Sequence, residues 1–285
     1  MRHRIQLKIG PVTFRVGSDW AGPVAALRSL YRDYPAYDGV PDYSVRLEAE
    51  RPWRRFLRPA VAVRGDYVLP EALPLDLKHG LLAAETAMNL QLALGERRWL
   101  LLHASSVERD GRALVMSGES GSGKSTLAAV LATRGWRLMG DEFALVDLDT
   151  GDIRAFPRAT SLKEGAIDEM LRHLPAERFG PALAGTPKGR LRHVRPDRSA
   201  ITRMDVPATP ALILFPRFGF AEEVLPMGAA ELFVRLTQAS TNYVPLRRRG
   251  YDALTRLVTT VPAVAVDYPD TGTAVAMVER LWDAL

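Results

Sequence analysis

The sequence predicts an α/β chain, with a core built on a mixed, partly antiparallel sheet and a small α+β module in front of it. Three observations carry this. The apolar run at residues 113–116 reads as a buried strand, and an alanine- and leucine-rich stretch at 124–133 reads as a helix stopped by Gly135. Between them lies Gly118-Glu119-Ser120-Gly121-Ser122-Gly123-Lys124-Ser125, which fits G-x-x-x-x-G-K-[ST] throughout. Upstream, Asp110-Gly111 is a turn that joins antiparallel neighbours, so the strand before the loop leaves a hairpin rather than a parallel crossover.

The eight-residue loop has a chemical reading. Its glycines let successive N–H groups point inward at phosphate oxygens, Lys124 reaches the β- and γ-phosphates, and Ser125 can ligate Mg²⁺. Thr126 follows in the first helical turn, where the helix presents its positive end. ATP and Mg²⁺ are the expected cofactors.

Taken in order, residues 4–8 and 12–16 alternate around Gly10-Pro11 as a strand pair, and residues 19–31 carry Val24, Leu27 and Leu30 at helical spacing. Strands follow at 43–47 and 61–69, and together these form the module expected over residues 1–70. The core expected over 71–285 begins with a helix at 75–94, then strands at 99–107, 137–139, 143–147 and 153–156. Residues 175–210, with six prolines and the cations Lys188, Arg190, Arg192, Arg195 and Arg198, read as a mobile loop. A strand at 211–215, helices at 229–238 and 251–259, a strand at 263–268 and a helix at 273–285 complete the chain.

Composition narrows the classes. The 285 residues are 47% apolar and 25% charged, which is globular material. A formal charge of +5 does not imply nucleic acid, and no run reaches the roughly 18 apolar residues of a membrane span. The start, Met1-Arg2-His3-Arg4-Ile5, has no apolar signal core, so a cytoplasmic protein without a membrane partner is expected. Without cysteine, any metal must sit on oxygen or imidazole ligands.

Three groups are candidates to join the loop. His103 lies fifteen positions before Gly118 in an apolar strand; it is either a hydrogen-bonded core histidine or, through hairpin pairing, a neighbour of the phosphates. Asp141-Glu142, at a strand end, can divide metal binding and proton acceptance, or form a solvated acidic turn. Arg158, Lys163 and the cluster from Lys188 to Arg198, Arg190 included, can stabilise shifting phosphoryl charge or dock an acidic substrate, or line a solvated loop.

His103, the loop, and Arg137-Leu138-Met139-Gly140-Asp141-Glu142 together resemble the catalytic core of the HPr kinase/phosphorylase family, whose pattern runs histidine, G-x-S-G-x-G-K-S, then R-L-x-A-D-D. The likeness is close over residues 99–147. It extends loosely through Phe156-Pro157-Arg158, Lys163-Glu164, Lys188-Gly189 and Phe215-Pro216-Arg217, where the subgroup called HPr kinase-related kinase A matches better. The resemblance implies an HPr kinase-like P-loop core in which Asp141 deprotonates an acceptor hydroxyl, His103 sits beside the phosphates, Lys124 binds them, and Ser125, Asp141 and Glu142 hold Mg²⁺. It implies nucleotide contact for Arg158 and, more loosely, substrate contact for Lys163, Lys188 and Arg190. The acceptor implied is a serine or similar hydroxyl of a peptide or small protein, including a peptide natural-product precursor. A PqqD-like peptide chaperone is the implied partner, and a homo-oligomer is compatible with the family. Glu142 stands where the pattern has aspartate, and the segment after Ile153 lacks the family's glycine-rich signature. Two other readings stay open: a nucleotide hydrolase or small-molecule kinase on the same core, and a nucleotide-sensing module without turnover.

Overall fold

A computed structural model describes residues 2–68, 73–187 and 189–285. The chain begins with β1 (His3–Ile9) and β2 (Val12–Ser18), then α1 (Ala21–Leu30), β3 (Tyr43–Ala49), β4 (Ala60–Gly65), β5 (Leu75–Asp76) and α2 (Gly80–Gly95). These strands form one sheet in the order β1-β2-β3-β4-β5. The expected strand pair turns at Gly10, whose φ is +54° and where a Cβ would collide with the carbonyl of Ala155. Helix α2 starts later than the expected 75, because Leu75–Asp76 pairs with β4 and a short 3-10 turn at Leu77–His79 intervenes.

Packing runs continuously across residue 70. Phe14, Val45, Leu47, Leu27, Met88 and Leu92 share one hydrophobic core with Leu101, Leu145 and Phe156. The first module and helix α2 are therefore joined to the rest by buried apolar contact.

Next come β6 (Trp99–Leu102), β7 (Ala104–Arg109), β8 (Arg112–Ser117), α3 (Lys124–Ala132), β9 (Arg137–Gly140), β10 (Ala144–Asp147) and β11 (Ile153–Arg154). The single strand expected over 99–107 is broken at His103. Its first half pairs with β10 in the sheet β11-β10-β6, and its second half crosses into another sheet. The His103 N–H leaves the ladder and donates to the carbonyl of Ala239 at 2.8 Å.

The expected mobile loop at 175–210 is ordered instead. After β12 (Thr160–Lys163) and α4 (Gly165–Leu171), β13 (Leu183–Thr186) and β14 (Gly189–Val194) form the sheet β12-β14-β13, followed by α5 (Arg198–Thr202). Two of its cations are held by the fold: Arg195 donates to Asp33 at 2.8 Å, and Arg192 donates to the Gly180 carbonyl at 2.8 Å while covering the Phe179 ring. Leu183 and Leu191 are buried beneath it.

The chain closes with β15 (Thr209–Phe218), β16 (Glu223–Pro226), α6 (Ala229–Ala239), α7 (Tyr243–Thr260), β17 (Ala263–Tyr268) and α8 (Thr271–Asp283). Helix α7 is longer than expected and kinks at Arg247, where φ is +53°. The central sheet has the order β16-β17-β15-β8-β7-β9. It is mixed: β8 is parallel to β15 and antiparallel to β7.

Both faces of this sheet are covered, which explains the unbroken apolar run in β8. Leu114 and Met116 pack toward α3 and α8 with Leu127, Leu131 and Met277, while Ala113 and Val115 pack toward α6 and α7 with Leu236, Leu254 and Leu257. Three layers result, and the ends of β8, β9, β15 and β17 frame the loop. Among the described residues no helix is long and apolar enough to cross a membrane.

Candidate functional site

The loop connects the end of β8 to the start of α3 and needs its glycines. Gly118, Gly121 and Gly123 have φ of 137°, 87° and 101°, conformations that side chains with a Cβ rarely adopt. Gly123 caps α3, and a Cβ there would run into the Tyr268 hydroxyl. Lys124 is only 7% exposed, and its Nζ donates to the carbonyls of Gly118 and Glu119, both at 2.7 Å. The loop is thus curled around its own lysine, with the N-terminal end of α3 behind it. Burial lowers the proton affinity of the Lys124 ammonium, and the charges of Asp141 and Glu142 work against that shift.

The acids arrive from β9. Its pairing with β7 sets Gly140 opposite Ser106 and carries Asp141 against Ser105, whose Oγ donates to Asp141 Oδ1 at 2.6 Å. Asp141 is 2% exposed, and its Oδ2 makes no hydrogen bond. Burial, and next the charge of Glu142, raise the proton affinity of this carboxyl above the ordinary aspartate range; the polar groups of Ser105, Ser125 and Ser161 oppose the shift.

The turn that follows is tight. A Cβ at Gly140 would lie 2.6 Å from the Phe143 carbonyl, and Glu142 is held in the left-handed region at φ +75°. A non-glycine residue there costs of order 1–3 kcal/mol, which the surrounding packing must offset.

His103 reaches the same place through the hairpin. Ala104 pairs with Ser117, so His103 stands beside Gly118 at the sheet edge. Its Nδ1 lies 3.1 Å from the Glu142 carbonyl oxygen and 3.8 Å from Glu142 Oε2. A carbonyl only accepts, so Nδ1 carries the proton and, in the neutral ring, Nε2 bears the lone pair. With its side chain 43% exposed, His103 is no core residue.

These groups meet in one cavity of about 360 Å³, lined by His103, Ser105, Ser120, Gly121, Gly123, Lys124, Ser125, Thr126, Asp141 and Glu142, and closed by Ser161 and Lys163. An ammonium, two carboxylates, an imidazole and hydroxyls around a glycine-rich turn can hold phosphate oxygens and an oxygen-liganded cation together. Among the described residues no three His, Asp or Glu side chains form a closed metal cage. An ion here would take part of its shell from a ligand's phosphates, as Mg²⁺ commonly does. The unpartnered, buried Oδ2 of Asp141 and the hydroxyl of Ser125 fit such an ion.

Of the residues expected in the site, Gly118, Glu119 and Ser122 shape the loop without lining the cavity. Arg158 does not line this cavity; it is buried in a small adjoining hollow that Asp141, Glu142 and Ser161 also line, where its guanidinium donates to Glu85 and Asn89, with Tyr31 beside it. Arg190 also lies outside, paired with Asp168 at 2.7 Å, its backbone N–H donating to Glu164. Lys188 lies outside the described residues.

Sequence reasoning missed Ser105 and Ser161. The signal for Ser105 was available: a serine pair inside an apolar strand, in register beside Met116, invites the question of what it bonds. Arg137, the first residue of the acidic motif, is structural: it donates to Glu108 at 2.5 Å and to the carbonyls of Arg203 and Val206 at 2.9 and 3.0 Å.

No protein-family model matches the chain, and no curated protein matches it. Among solved structures, the chain is similar to the HPr(Ser) kinase/phosphatase from Coxiella burnetii, with a TM-score of 0.25 and 12% identity over 60% of this chain and 79% of that one.

Proposed function

We propose that the protein is an ATP- and Mg²⁺-dependent kinase that transfers the γ-phosphoryl group to a serine or similar hydroxyl of a peptide or small protein. One observation carries the reading: a buried carboxylate with an unpartnered oxygen, Asp141, shares a cavity with the lysine and first helical turn of a phosphate-binding loop. Switches and motors also cradle phosphates. A base of raised proton affinity at the terminal-phosphate end suits transfer to a hydroxyl.

In this mechanism the loop N–H groups and Lys124 hold the β- and γ-phosphates. Ser125, Asp141 and Glu142 would hold Mg²⁺, which would supply positive charge against the phosphate oxygens. The acceptor hydroxyl oxygen attacks the γ-phosphorus in line, the bond from that phosphorus to the β-bridging oxygen breaks, and the hydroxyl proton passes to the Asp141 carboxylate. ADP leaves with the bridging electrons. Ser105 orients the Asp141 carboxyl, and His103, fixed through Glu142, keeps its Nε2 as an acceptor in the same cavity. Lys163 at the cavity wall is the cation best situated to meet an acidic acceptor. The peptide natural-product precursor, the PqqD-like chaperone and a homo-oligomer belong to this proposal on the strength of the motif resemblance, and the cytoplasmic setting on that of the polar first residues.

The test is incubation of purified protein with γ-labelled ATP, Mg²⁺ and candidate peptides, with the label located by mass spectrometry. Label on a peptide hydroxyl, lost in Asp141→Asn while ATP binding persists, is the expected result. Release of inorganic phosphate at the same rate with and without any acceptor would replace this reading with a hydrolase.

A further inference from the structure

A second cavity of about 370 Å³ lies on the other side of the loop, and it shares Gly121, Gly123, Thr126 and Ala166 with the first. The two differ in chemistry. The first gathers Lys124, Asp141, Glu142 and His103, whereas the second is walled by Leu127, Phe218, Tyr268 and Ala274. Both open at one edge of the central sheet, because β15 and β17 run parallel to β8 and finish beside the loop, with Phe218 paired to Tyr268.

The aromatic pair is the informative feature. Tyr268 is buried, donates through its hydroxyl to the Ser122 carbonyl at 3.3 Å, and so ties the second cavity's wall to the phosphate loop. Phe218 meets it edge to face at 6.0 Å, yet remains 52% exposed at the mouth of the cavity. An aromatic face left open beside an apolar hollow, a few residues from a phosphate cradle, suits a planar heteroaromatic ring.

Direction follows from the shared residues. A triphosphate lying along the loop with its terminal group at Lys124, Ser125 and Asp141 has its other end at Gly121, Gly123 and Thr126, where the second cavity begins. We infer that this second cavity is the nucleoside site, in which the base stacks on Phe218 against Tyr268 and Leu127. The inference rests on the nucleotide reading above, and it assigns the base end that the sequence motifs left unassigned.

The test measures calorimetric binding of ATP and of inorganic triphosphate, both with Mg²⁺, to the full chain and to two variants. Phe218→Ala removes the stacking face at a half-exposed position. Gly165→Trp fills the cavity from the opposite wall, where a Cβ meets nothing within 4 Å. Each variant is expected to weaken ATP binding about tenfold or more, the usual scale for a lost base–aromatic stack, and to leave triphosphate binding unchanged. Wild-type protein that binds ATP no better than triphosphate overturns the base site, and so do variants that bind ATP normally or lose both ligands equally. Binding of neither ligand by the wild type is a different pattern, and it would remove the nucleotide reading together with the base site.

Discussion

Arg158 separates a catalytic reading from a structural one, because the motif resemblance implies nucleotide contact while in the fold its guanidinium is bonded to Glu85 and Asn89. Its guanidinium donates to the carboxylate and the carbonyl of Glu85 and to Asn89, and its Nε lies 3.4 Å from the Tyr31 hydroxyl. Tyr31 itself donates to Glu85 at 3.1 Å. Both charged side chains are almost wholly buried, at 4% and 6% exposure. Arg158→Met leaves the Glu85 carboxylate in an apolar wall without its counter-ion, and breaking a buried pair in this way costs about 3–5 kcal/mol. With a urea slope of about 3 kcal/mol/M the unfolding midpoint falls by about 1–1.7 M. ATP affinity, measured by calorimetry where the variant is folded, should stay within about twofold of wild type, since the residue does not line the phosphate cavity. A compensating Arg158→Met/Glu85→Leu double variant should recover most of the loss, because it removes both charges. Unchanged stability with a large loss of ATP affinity would refute this argument and return Arg158 to the nucleotide.

The remaining predictions concern Asp141 and the strand break. As a base, Asp141 should make the transfer rate fall on acidification as its carboxylate takes up a proton; a rate that stays flat across the whole acid limb of the pH profile would exclude it. Its raised proton affinity fixes a sign for stability. The protonated form is favoured in the fold, so the contribution of Asp141 is fully present below the unfolded value and is lost as pH rises through the native one. Asp141→Asn should therefore raise the melting temperature at pH 7, and the gain should shrink toward pH 4; a loss of stability at pH 7 would contradict the desolvation argument. Its transfer rate should drop by about 10²–10⁴, the range for a lost general base. Asn242 is fully buried; it donates to the carbonyls of Glu96 and Trp99 at 3.0 and 2.8 Å and accepts from the Leu101 N–H at 2.9 Å. Asn242→Ala should cost about 2–4 kcal/mol in urea unfolding, and a neutral result would mean that water replaces all three bonds.

The parts of this protein that were legible in the residues are those whose physics is contiguous along the chain. The phosphate loop is one, since its cradle is built by successive backbone groups and its glycines take the positive φ that only such a turn demands. The hairpin is another: Asp110 and Gly111 both adopt positive φ, at 55° and 77°, the geometry that this dipeptide favours, and its register follows from the turn. From these two, the approach of His103 to Gly118 could be read ahead of any structure, whereas that of Asp141 depends on the pairing of β9 with β7.

Where the reading failed, the deciding contact lies far away in sequence. Residues 175–210 carry prolines and arginines that locally suggest a loop, but Arg195 finds Asp33 and β14 finds β12, so the segment is ordered by partners that composition does not name. The strand at 99–107 breaks because His103 bonds the end of α6 and its two halves serve different sheets. By itself, then, the sequence determined the glycine-rich turn and the hairpin that sets the His103 imidazole beside it, because turn geometry and hairpin register are local. Only the tertiary structure decided that Arg158 belongs to Glu85, that Ser105 orients Asp141, and that Phe218 and Tyr268 stand open beside the loop, because burial and charge pairing are settled by residues that meet only when the sheets close.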